Sequence, residues 1–310
     1  MKLAIDTFIN IHINIPCLIL GPSPNMSNFN FDTFNGKIFT IGDTIIRGNK
    51  LFKADYWIAS NNEFPLPHYH YNLINSLKAT LIFSDSALYD NLWTKNDAFL
   101  NDNLKINWSC YDERHFQHKE CFPKKKCCDL LKDDPNRKTI QEILSNFFDS
   151  KFVVPQGNTV AEYALCIALI MGCNPIYIQG IELPLNHKDY IYYPSKEADR
   201  ITIDAKNVVS NLLRKKEKKI SLSLIKKINH TFSSIFIEES KLIHYPANFV
   251  KTIFSKNTKS VFANDLDGII DNFDNYAAIS SKRNVEIFNL SKESNLNKCK
   301  NIGYLDYKKV

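Results

Sequence analysis

Residues Val154 to Glu182 read VPQGNTVAEYALCIALIMGCNPIYIQGIE, and this stretch decides the fold. Thr159 stands before an apolar run and Glu162 follows three residues later, which is the spacing of a reciprocal N-terminal cap. The pattern predicts a helix from Val160 to Met171. Because apolar residues occupy almost every side of this helix, we expect it to be largely buried.

The end of the same stretch predicts a tight turn and a central parallel strand. Gly172 can adopt the left-handed conformation that ends a helix, and Pro175 prevents the helix from resuming. Residues 176–178, Ile-Tyr-Ile, suit a buried strand. Gly180 allows a close backbone approach, and Glu182 follows at the carboxyl end of the strand, where open α/β sheets bind ligands. An ordinary helix–strand unit without a site is the alternative interpretation.

Length and composition are those of a globular protein with a large core. The chain has 310 residues, of which 44% are hydrophobic and 23% are charged. The net charge of +6 suits an anionic substrate or membrane surface, but it falls short of the signature of nucleic-acid binding. No segment is apolar over the roughly 18 residues that a membrane span needs. The N-terminus has no signal-peptide pattern, so we expect a cytoplasmic protein. From the modest charge we expect no nucleic-acid partner.

The eight cysteines do not form a recognisable metal or disulfide pattern. Cys17, Cys166 and Cys173 fall in apolar segments, where a free cysteine behaves as a small hydrophobic residue. A looser cluster lies in a basic stretch, but it contains no C-x-x-C pair and has no common zinc spacing. Its members are Cys110, His115, His118, Cys121, Cys127 and Cys128. We therefore expect reduced thiols and no metal site.

Four short apolar runs in the first 90 residues predict parallel strands, and polar residues follow three of them. The runs cover residues 16–20, 37–41, 55–59 and 80–83. Polar groups at successive carboxyl ends are what a cleft for a polar ligand needs. Neither a G-x-G-x-x-G loop nor a Walker lysine is present. The polar ends are Gly21-Pro22-Ser23-Pro24-Asn25, then Gly42-Asp43, then Ser60-Asn61-Asn62.

The order of these elements predicts an α/β fold. We expect a Rossmann-like, mostly parallel sheet with helices on both faces and a lid-like insertion. Residues 1–182 and 266–310 form the predicted α/β domain, with an irregular stretch at 101–150 that contains a helix at 139–148. Residues 183–265 form the insertion, because their periodicity is weaker than that of the flanking units. A final helix at 268–282 and a strand at 285–288 complete the domain.

A basic, broadly helical segment lies within the predicted insertion. Residues 207–229 read NVVSNLLRKKEKKISLSLIKKIN. A solvated charged face explains this pattern, and so does a basic helix that docks on anionic lipid at the inner membrane.

The motifs together resemble a family of bacterial glycosyltransferases. LILGPSP, IFTIGDT, WIASNN, the Thr159 helix with MGCNPIYIQGIE, and NVEIFNLSKESNL follow the family's order. The family includes lipooligosaccharide sialyltransferases and motility-associated enzymes that attach nonulosonic acids to flagellin, and archaeal hydroxymethylpterin pyrophosphokinase is a distant relative. The resemblance covers most of residues 16–95 and 152–193, and residues 268–300.

The resemblance implies a nucleotide-sugar domain with a site for a CMP-activated sugar, which is a co-substrate rather than a cofactor. The loop of Gly21, Pro22 and Ser23 would lie against the phosphate and ribose. Gly180 and Glu182 would lie beside the cytosine and ribose, in place of the family's Gly-Ile-Asp. The resemblance implies further donor contacts at strand and helix ends and at one tyrosine beyond Glu182: Asp43, Asn61, Asn158, Thr159 and Tyr190. Ser60, next to Asn61, and Tyr192, whose hydroxyl can donate to the phosphate, are further candidates for donor contacts.

The sequence departs from the family at three places. Leu20 replaces an asparagine of the donor loop, and Glu182 is one methylene longer than the family's aspartate. No histidine stands shortly before the last strand, where the sialyltransferases carry their catalytic histidine. His187 and His244 are the candidate bases, and Tyr190 is the candidate that assists the departing phosphate.

Three functions are compatible with these residues. The first is a metal-independent transfer of a sialic-acid-like sugar to a glycan or protein hydroxyl, in which a base accepts the acceptor's proton and tyrosine hydroxyls donate to the departing phosphate. No D-x-D pair lies where a metal-dependent transferase would need it. The second is a magnesium- and ATP-dependent pterin pyrophosphokinase. The third is a non-catalytic nucleotide-binding module.

Overall fold

Eight parallel strands form one open sheet in the computed structural model of this chain. The model describes residues 1–59, 71–84, 102, 104–111, 150, 152, 154, 157, 159–184, 191–201 and 266–310. The strands are β1 Cys17–Leu20, β2 Lys37–Ile41, β3 Tyr56–Ala59, β4 Thr80–Ser84, β5 Trp108–Tyr111, β6 Ile176–Gln179, β7 Ile287–Asn289 and β8 Gly303–Tyr304. Their spatial order is β5-β4-β3-β2-β1-β6-β7-β8, and each ladder between neighbours is parallel. This confirms the predicted Rossmann-like α/β class.

The strand order places the topological switch point between β1 and β6. From β1 the chain builds outward through β2, β3, β4 and β5, and it then returns to place β6 on the other side of β1. The connection that follows β1 therefore leads to one side of the sheet, and the connection that follows β6 leads to the other side. A crevice opens at the carboxyl ends of two such strands, and it is the usual ligand site of open parallel sheets.

Both faces of the sheet are covered, as the sequence predicts. The named helices are α1 Thr44–Arg47, α2 Tyr71–Leu77, α3 Val160–Ile170 and α4 Leu266–Lys282. On one face α3 and α4 pack with Ile19, Phe39 and Ile58. On the other face α1 and α2 pack with the neighbouring residues of β3 and β4. Each strand contributes side chains to both faces, because successive side chains of a strand point to opposite sides of the sheet.

The helix and turn within residues 154–182 form as their sequence predicts. The hydroxyl of Thr159 accepts a hydrogen bond from the Glu162 amide, and the Glu162 carboxylate accepts one from the Thr159 amide. Every residue of α3 is buried. Gly172 ends the helix at a φ of +81°, and Cys166 and Cys173 are buried and form no disulfide. The prediction of a capped, buried helix is confirmed.

Two strands were missed by the sequence analysis. Trp108–Tyr111 forms β5 within the stretch predicted to be irregular, and Gly303–Tyr304 forms β8. The N-terminal segment pairs with β5, because Leu3 N donates to Trp108 O at 2.7 Å. These pairings are non-local, so the four-residue run WSCY carried no local signal for them. The last helix begins two residues earlier than predicted, at Leu266, and the last long strand is displaced to Ile287–Asn289.

Part of the predicted insertion packs against the sheet. Residues 196–201 are helical, and Ala198 and Ile201 are buried among the residues of β3, β4 and α2. The predicted helix at 139–148 and the basic segment at 207–229 lie outside the described residues. Among the helices within the described ranges, none has the length and apolar character to cross a bilayer.

Candidate functional site

The loops that follow β1 and β6 meet at the switch point, backbone against backbone. Gly21 N donates to Gln179 O at 2.8 Å, and Ser23 N donates to Gly180 O at 3.2 Å. Gly180 has a φ of +74°, and a Cβ on Gly21 would lie 2.3 Å from Gly180 O. Glycine is therefore required at both positions, since a side chain on either would force the two loops apart.

The loop after β1 is shaped by Ser23. Its hydroxyl accepts a hydrogen bond from Asn25 N at 3.3 Å and caps the 3₁₀ turn Pro24–Asn28. The carbonyl of Pro22 accepts a hydrogen bond from Tyr193 N at 2.6 Å. The three residues predicted to face the donor phosphate thus lie between β6 on one side and the segment at 191–195 on the other.

Glu182 faces the β1 loop across the switch point. Its Oε1 accepts a hydrogen bond from Asn25 Nδ2 at 3.0 Å, and its side chain is half-buried. Asn25 is itself held, because its carbonyl accepts from Gln179 Nε2 at 2.7 Å. The result is an oriented carboxylate, and a carboxylate has four lone-pair positions with which to accept the hydroxyls of a ligand.

The loop after β7 holds the loop after β6 in place. Ser291 Oγ accepts from Gly180 N at 2.9 Å, and Ser294 Oγ donates to Ile181 O at 2.5 Å. Asn295 N donates to Glu182 O at 3.0 Å. These bonds satisfy the backbone of the turn that carries Glu182, so the carboxylate is presented from a fixed support.

Asp43 lies at the carboxyl end of β2 and is paired with a cation. Arg47 Nε donates to Asp43 Oδ2 at 2.8 Å, across one turn of helix. Burial raises the pKa of Asp43 above its ordinary value, and the Arg47 guanidinium opposes that rise. In this structure the Asp43 carboxylate is bonded to Arg47, and the donor contact that the resemblance implies for Asp43 stays a prediction.

Arg47 also connects Asp43 with Tyr192. The guanidinium lies 4.7 Å from the centre of the Tyr192 ring, which is the range of a cation–π contact. It further donates to Tyr193 O and to Asp199 Oδ1, each at 2.9 Å. Arg47 was not predicted as a candidate residue, although its spacing of four residues from Asp43 at the start of a helix is a usable signal.

The N-terminus of α3 lies at the same edge of the sheet, because α3 runs antiparallel to the strand that follows it. Glu162 is fully buried, and its Oε1 accepts from Asn272 Nδ2 at 3.1 Å. A Cβ on Gly157 would lie 2.1 Å from Glu162 Oε2. The Thr159 hydroxyl is thus part of the helix cap, and the donor contact expected at Thr159 stays a prediction.

The structure brings together most of the predicted site residues that it describes. Gly21, Pro22, Ser23, Gly180 and Glu182 share the switch point. Six predicted site residues lie outside the described part of the chain: Ser60, Asn61, Asn158, His187, Tyr190 and His244.

Asn25, which holds Glu182, was not among the predicted candidate residues. Its only local signal was its place at the end of the GPSPN loop. Within the described ranges, no three His, Cys, Asp or Glu side chains are grouped as a metal site requires.

The fold and this site define the class: an open parallel α/β protein in which the polar loops after β1 and β6 are joined at the switch point. No protein family and no curated protein matches the chain in sequence. It is similar to the sialyltransferase CstII from Campylobacter jejuni in complex with CMP, with 12% identity and a TM-score of 0.41 over 95% of this chain and 86% of that chain.

Two further solved structures are similar to the chain. The alpha-2,3-sialyltransferase Cst-I from Campylobacter jejuni has 16% identity and a TM-score of 0.39, over 94% of this chain and 80% of that chain. The MAf glycosyltransferase from Magnetospirillum magneticum AMB-1 has 14% identity and a TM-score of 0.32. That match covers 62% of this chain and 28% of the MAf chain.

Proposed function

We propose that this protein is a metal-independent glycosyltransferase that moves a sialic-acid-like (nonulosonic) sugar from a CMP-activated donor to a hydroxyl of a glycan or protein. One observation carries the proposal: a glycine-lined loop after β1 and an oriented carboxylate after β6 meet at the switch point of the sheet. This is the place and the set of groups that a nucleotide needs. The resemblance of the sequence motifs supplies the class of nucleotide.

The residues divide between the two ends of the donor. Glu182 accepts hydrogen bonds from the ribose hydroxyls, and Asn25 holds the carboxylate in orientation for them. The backbone of Gly21 and Ser23 lies beside the phosphate. Tyr192, which is 44% exposed, and Tyr190 donate hydrogen bonds from their hydroxyls to the phosphate oxygens as the bond between sugar and phosphate breaks.

The acceptor hydroxyl needs a base, and His187 and His244 are the proposed candidates. A neutral imidazole near pH 7 can accept the proton as the acceptor oxygen attacks the sugar carbon. Changing each histidine to alanine separately, and measuring release of CMP from the donor with acceptor present, tests this role. Loss of turnover by at least about a hundredfold, within the range for a general base, is expected for one of the two. Unchanged turnover in both variants would favour a non-catalytic module.

A panel of nucleotides in a thermal-shift assay tests the proposed donor. A ligand that binds the folded state raises the melting temperature by mass action. We expect stabilisation by CMP or CDP, and none by AMP, UDP or GDP. Selective stabilisation by ATP with magnesium would instead support the pterin pyrophosphokinase function. Transfer that EDTA abolishes and manganese restores would contradict the metal-independent mechanism.

We further propose that residues 183–265 form a lid on the acceptor side and that the basic segment at 207–229 contacts anionic lipid at the cytoplasmic face of the inner membrane. Lysine and arginine near an anionic surface each contribute about 1 kcal/mol to binding. The protein should therefore sediment with anionic vesicles and not with zwitterionic ones. Binding to the anionic vesicles should weaken as salt is raised, and equal sedimentation with both kinds of vesicle would contradict the proposal.

A further inference from the structure

Arg47, the last residue of α1, is a buried cation with three separate acceptors. Its side chain is 5% exposed. It donates to Asp43 Oδ2 at 2.8 Å, to Tyr193 O at 2.9 Å and to Asp199 Oδ1 at 2.9 Å. Only Asp43 is close in sequence, so two of the three bonds join α1 to a segment about 150 residues away along the chain.

The distant segment is residues 191–201, and it lies against the proposed donor loop. Tyr193 uses both of its backbone groups there, because its carbonyl accepts from Arg47 and its amide donates to Pro22 O at 2.6 Å. Tyr192 places its ring over the Arg47 guanidinium. The other end of the segment is anchored by Ala198 and Ile201, which are buried against β3 and β4. Arg47 therefore secures the end of the segment that lies beside the loop after β1.

The charges at this place exclude direct binding of a phosphate by Arg47. One guanidinium faces two carboxylates, Asp43 and Asp199, so these three groups carry a net negative charge. The guanidinium is buried and already held by these two carboxylates, so a phosphate would have to displace them to bind Arg47 itself. Tyr192, the residue that stacks on Arg47, remains accessible, since it is 44% exposed.

We propose that Arg47 is a positioning residue: it fixes Tyr192 beside the loop that follows β1, and it thereby sets where the Tyr192 hydroxyl lies for the phosphate of the nucleotide donor. This inference rests on the proposed function, because it assigns Arg47 a role in that same site. The planar guanidinium suits the task, since it can donate in several fixed directions and present its face to an aromatic ring at the same time. A lysine in its place would keep the charge and lose that geometry.

Hydrogen exchange and donor kinetics together test the inference. In Arg47→Met we expect faster amide exchange in residues 191–201, with the largest increase at Tyr193. We also expect a rise of roughly tenfold in the KM for the CMP-sugar with a smaller change in kcat, as the loss of a hydrogen bond to a charged group would give. Arg47→Lys should recover part of the exchange protection and part of the affinity. Lys37→Met is the matched control, because it breaks a surface ion pair with Asp55 on the opposite edge of the sheet.

Arg47→Met leaves the Asp43 carboxylate buried without its cation and could fail to fold, so a second, milder variant keeps the inference testable. Asp199→Asn keeps the Asp43–Arg47 pair and weakens one anchor of the segment, so it should shift exchange and KM in the same direction by less. In a Tyr192→Phe background, Arg47→Met should raise KM by much less than in the wild type, because Arg47 acts through the missing hydroxyl.

The possible outcomes separate this inference from the proposed function. Unchanged exchange in residues 191–201 of Arg47→Met, or faster exchange with an unchanged KM, would overturn the positioning role alone. An effect of Arg47→Met that is just as large in the Tyr192→Phe background would overturn it as well. Wild-type protein that binds no CMP would overturn the proposed function, and the inference with it.

Discussion

Gly21 and Gly180 bring the loops after β1 and β6 into backbone contact at the carboxyl edge of the sheet. A Cβ on Gly21 would lie 2.3 Å from Gly180 O, and a Cβ on Gly180 would lie 2.7 Å from Gly21 O. Real Cβ atoms do not approach a backbone oxygen this closely, so the two loops are in contact only because both residues lack a side chain. The contact between the two loops is therefore one of backbone against backbone.

Gly180→Ala should destabilise the protein and remove CMP binding. The residue has a φ of +74°, and holding alanine in that region costs of order 1–3 kcal/mol before the clash with Gly21 is counted. Urea unfolding gives the stability, and a thermal-shift titration with CMP gives the binding. The matched control is Gly303→Ala, where a Cβ would make an ordinary contact 3.5 Å from Phe288 Cδ1. Equal stability of the two variants would contradict the close approach seen here.

Glu182→Gln should weaken CMP binding and leave the fold intact. The glutamine retains an oxygen that can accept the Asn25 hydrogen bond, but it loses the charge that strengthens bonds from the ribose hydroxyls. Hydrogen bonds to charged groups contribute about 1.5–3 kcal/mol, so the Kd for CMP should rise at least roughly tenfold. Calorimetric titration measures this value. Glu293→Gln, an exposed carboxylate in the loop after β7, is the control, and an equal Kd in both variants would remove Glu182 from the proposed site.

Thr159→Val should destabilise the protein by about 1 kcal/mol, the usual contribution of a helix N-cap. Glu162→Leu should cost more, because it leaves Thr159 N and Asn272 Nδ2 without these acceptors in a buried place, and each such group costs about 1–3 kcal/mol. Chemical denaturation measures both. Thr33→Val removes an exposed hydroxyl that donates to Asn30 O at 3.3 Å. It should change stability by less than about 0.5 kcal/mol.

His12 should make the protein less stable in mild acid. Its Nε2 lies 2.6 Å from the Tyr56 hydroxyl at the amino edge of the sheet. Burial lowers the pKa of His12 below its ordinary value, the Lys37 ammonium lowers it further, and the Asp55 carboxylate opposes them. A lowered folded-state pKa means that His12 contributes stability above the unfolded pKa of 6.5, and that this contribution is lost as pH falls through the folded pKa.

Melting temperatures of the wild type and of His12→Gln between pH 5 and pH 8 measure this contribution. The wild type should lose more stability than the variant as the pH is lowered through the titration of His12. Parallel pH profiles for the two proteins would show that His12 is not held in its neutral form.

Local patterns were enough to predict α3, the runs that became β1 to β4, and β6. Each of these is an apolar run with its own boundaries, such as the Thr159–Glu162 cap or the Gly172 stop. The same reasoning missed β5, because Trp108 is placed in the sheet by pairing with the N-terminal segment and with β4. The hydrophobic period and the strand propensity of a short segment contain no information about a pairing strand that is far away along the chain.

The sequence by itself determined that the sheet is parallel, that α3 is buried, and that Gly21, Ser23, Gly180 and Glu182 stand at strand ends. It did so because these properties depend on composition and spacing within one element. Only the tertiary structure decided that Gly21 touches Gly180, that Asn25 holds Glu182, and that Arg47 joins Asp43 to Tyr192 and Asp199. Such contacts join residues separated by as much as 159 positions of the 310 in the chain. They depend on the order in which the strands lie, which no single stretch of the sequence contains.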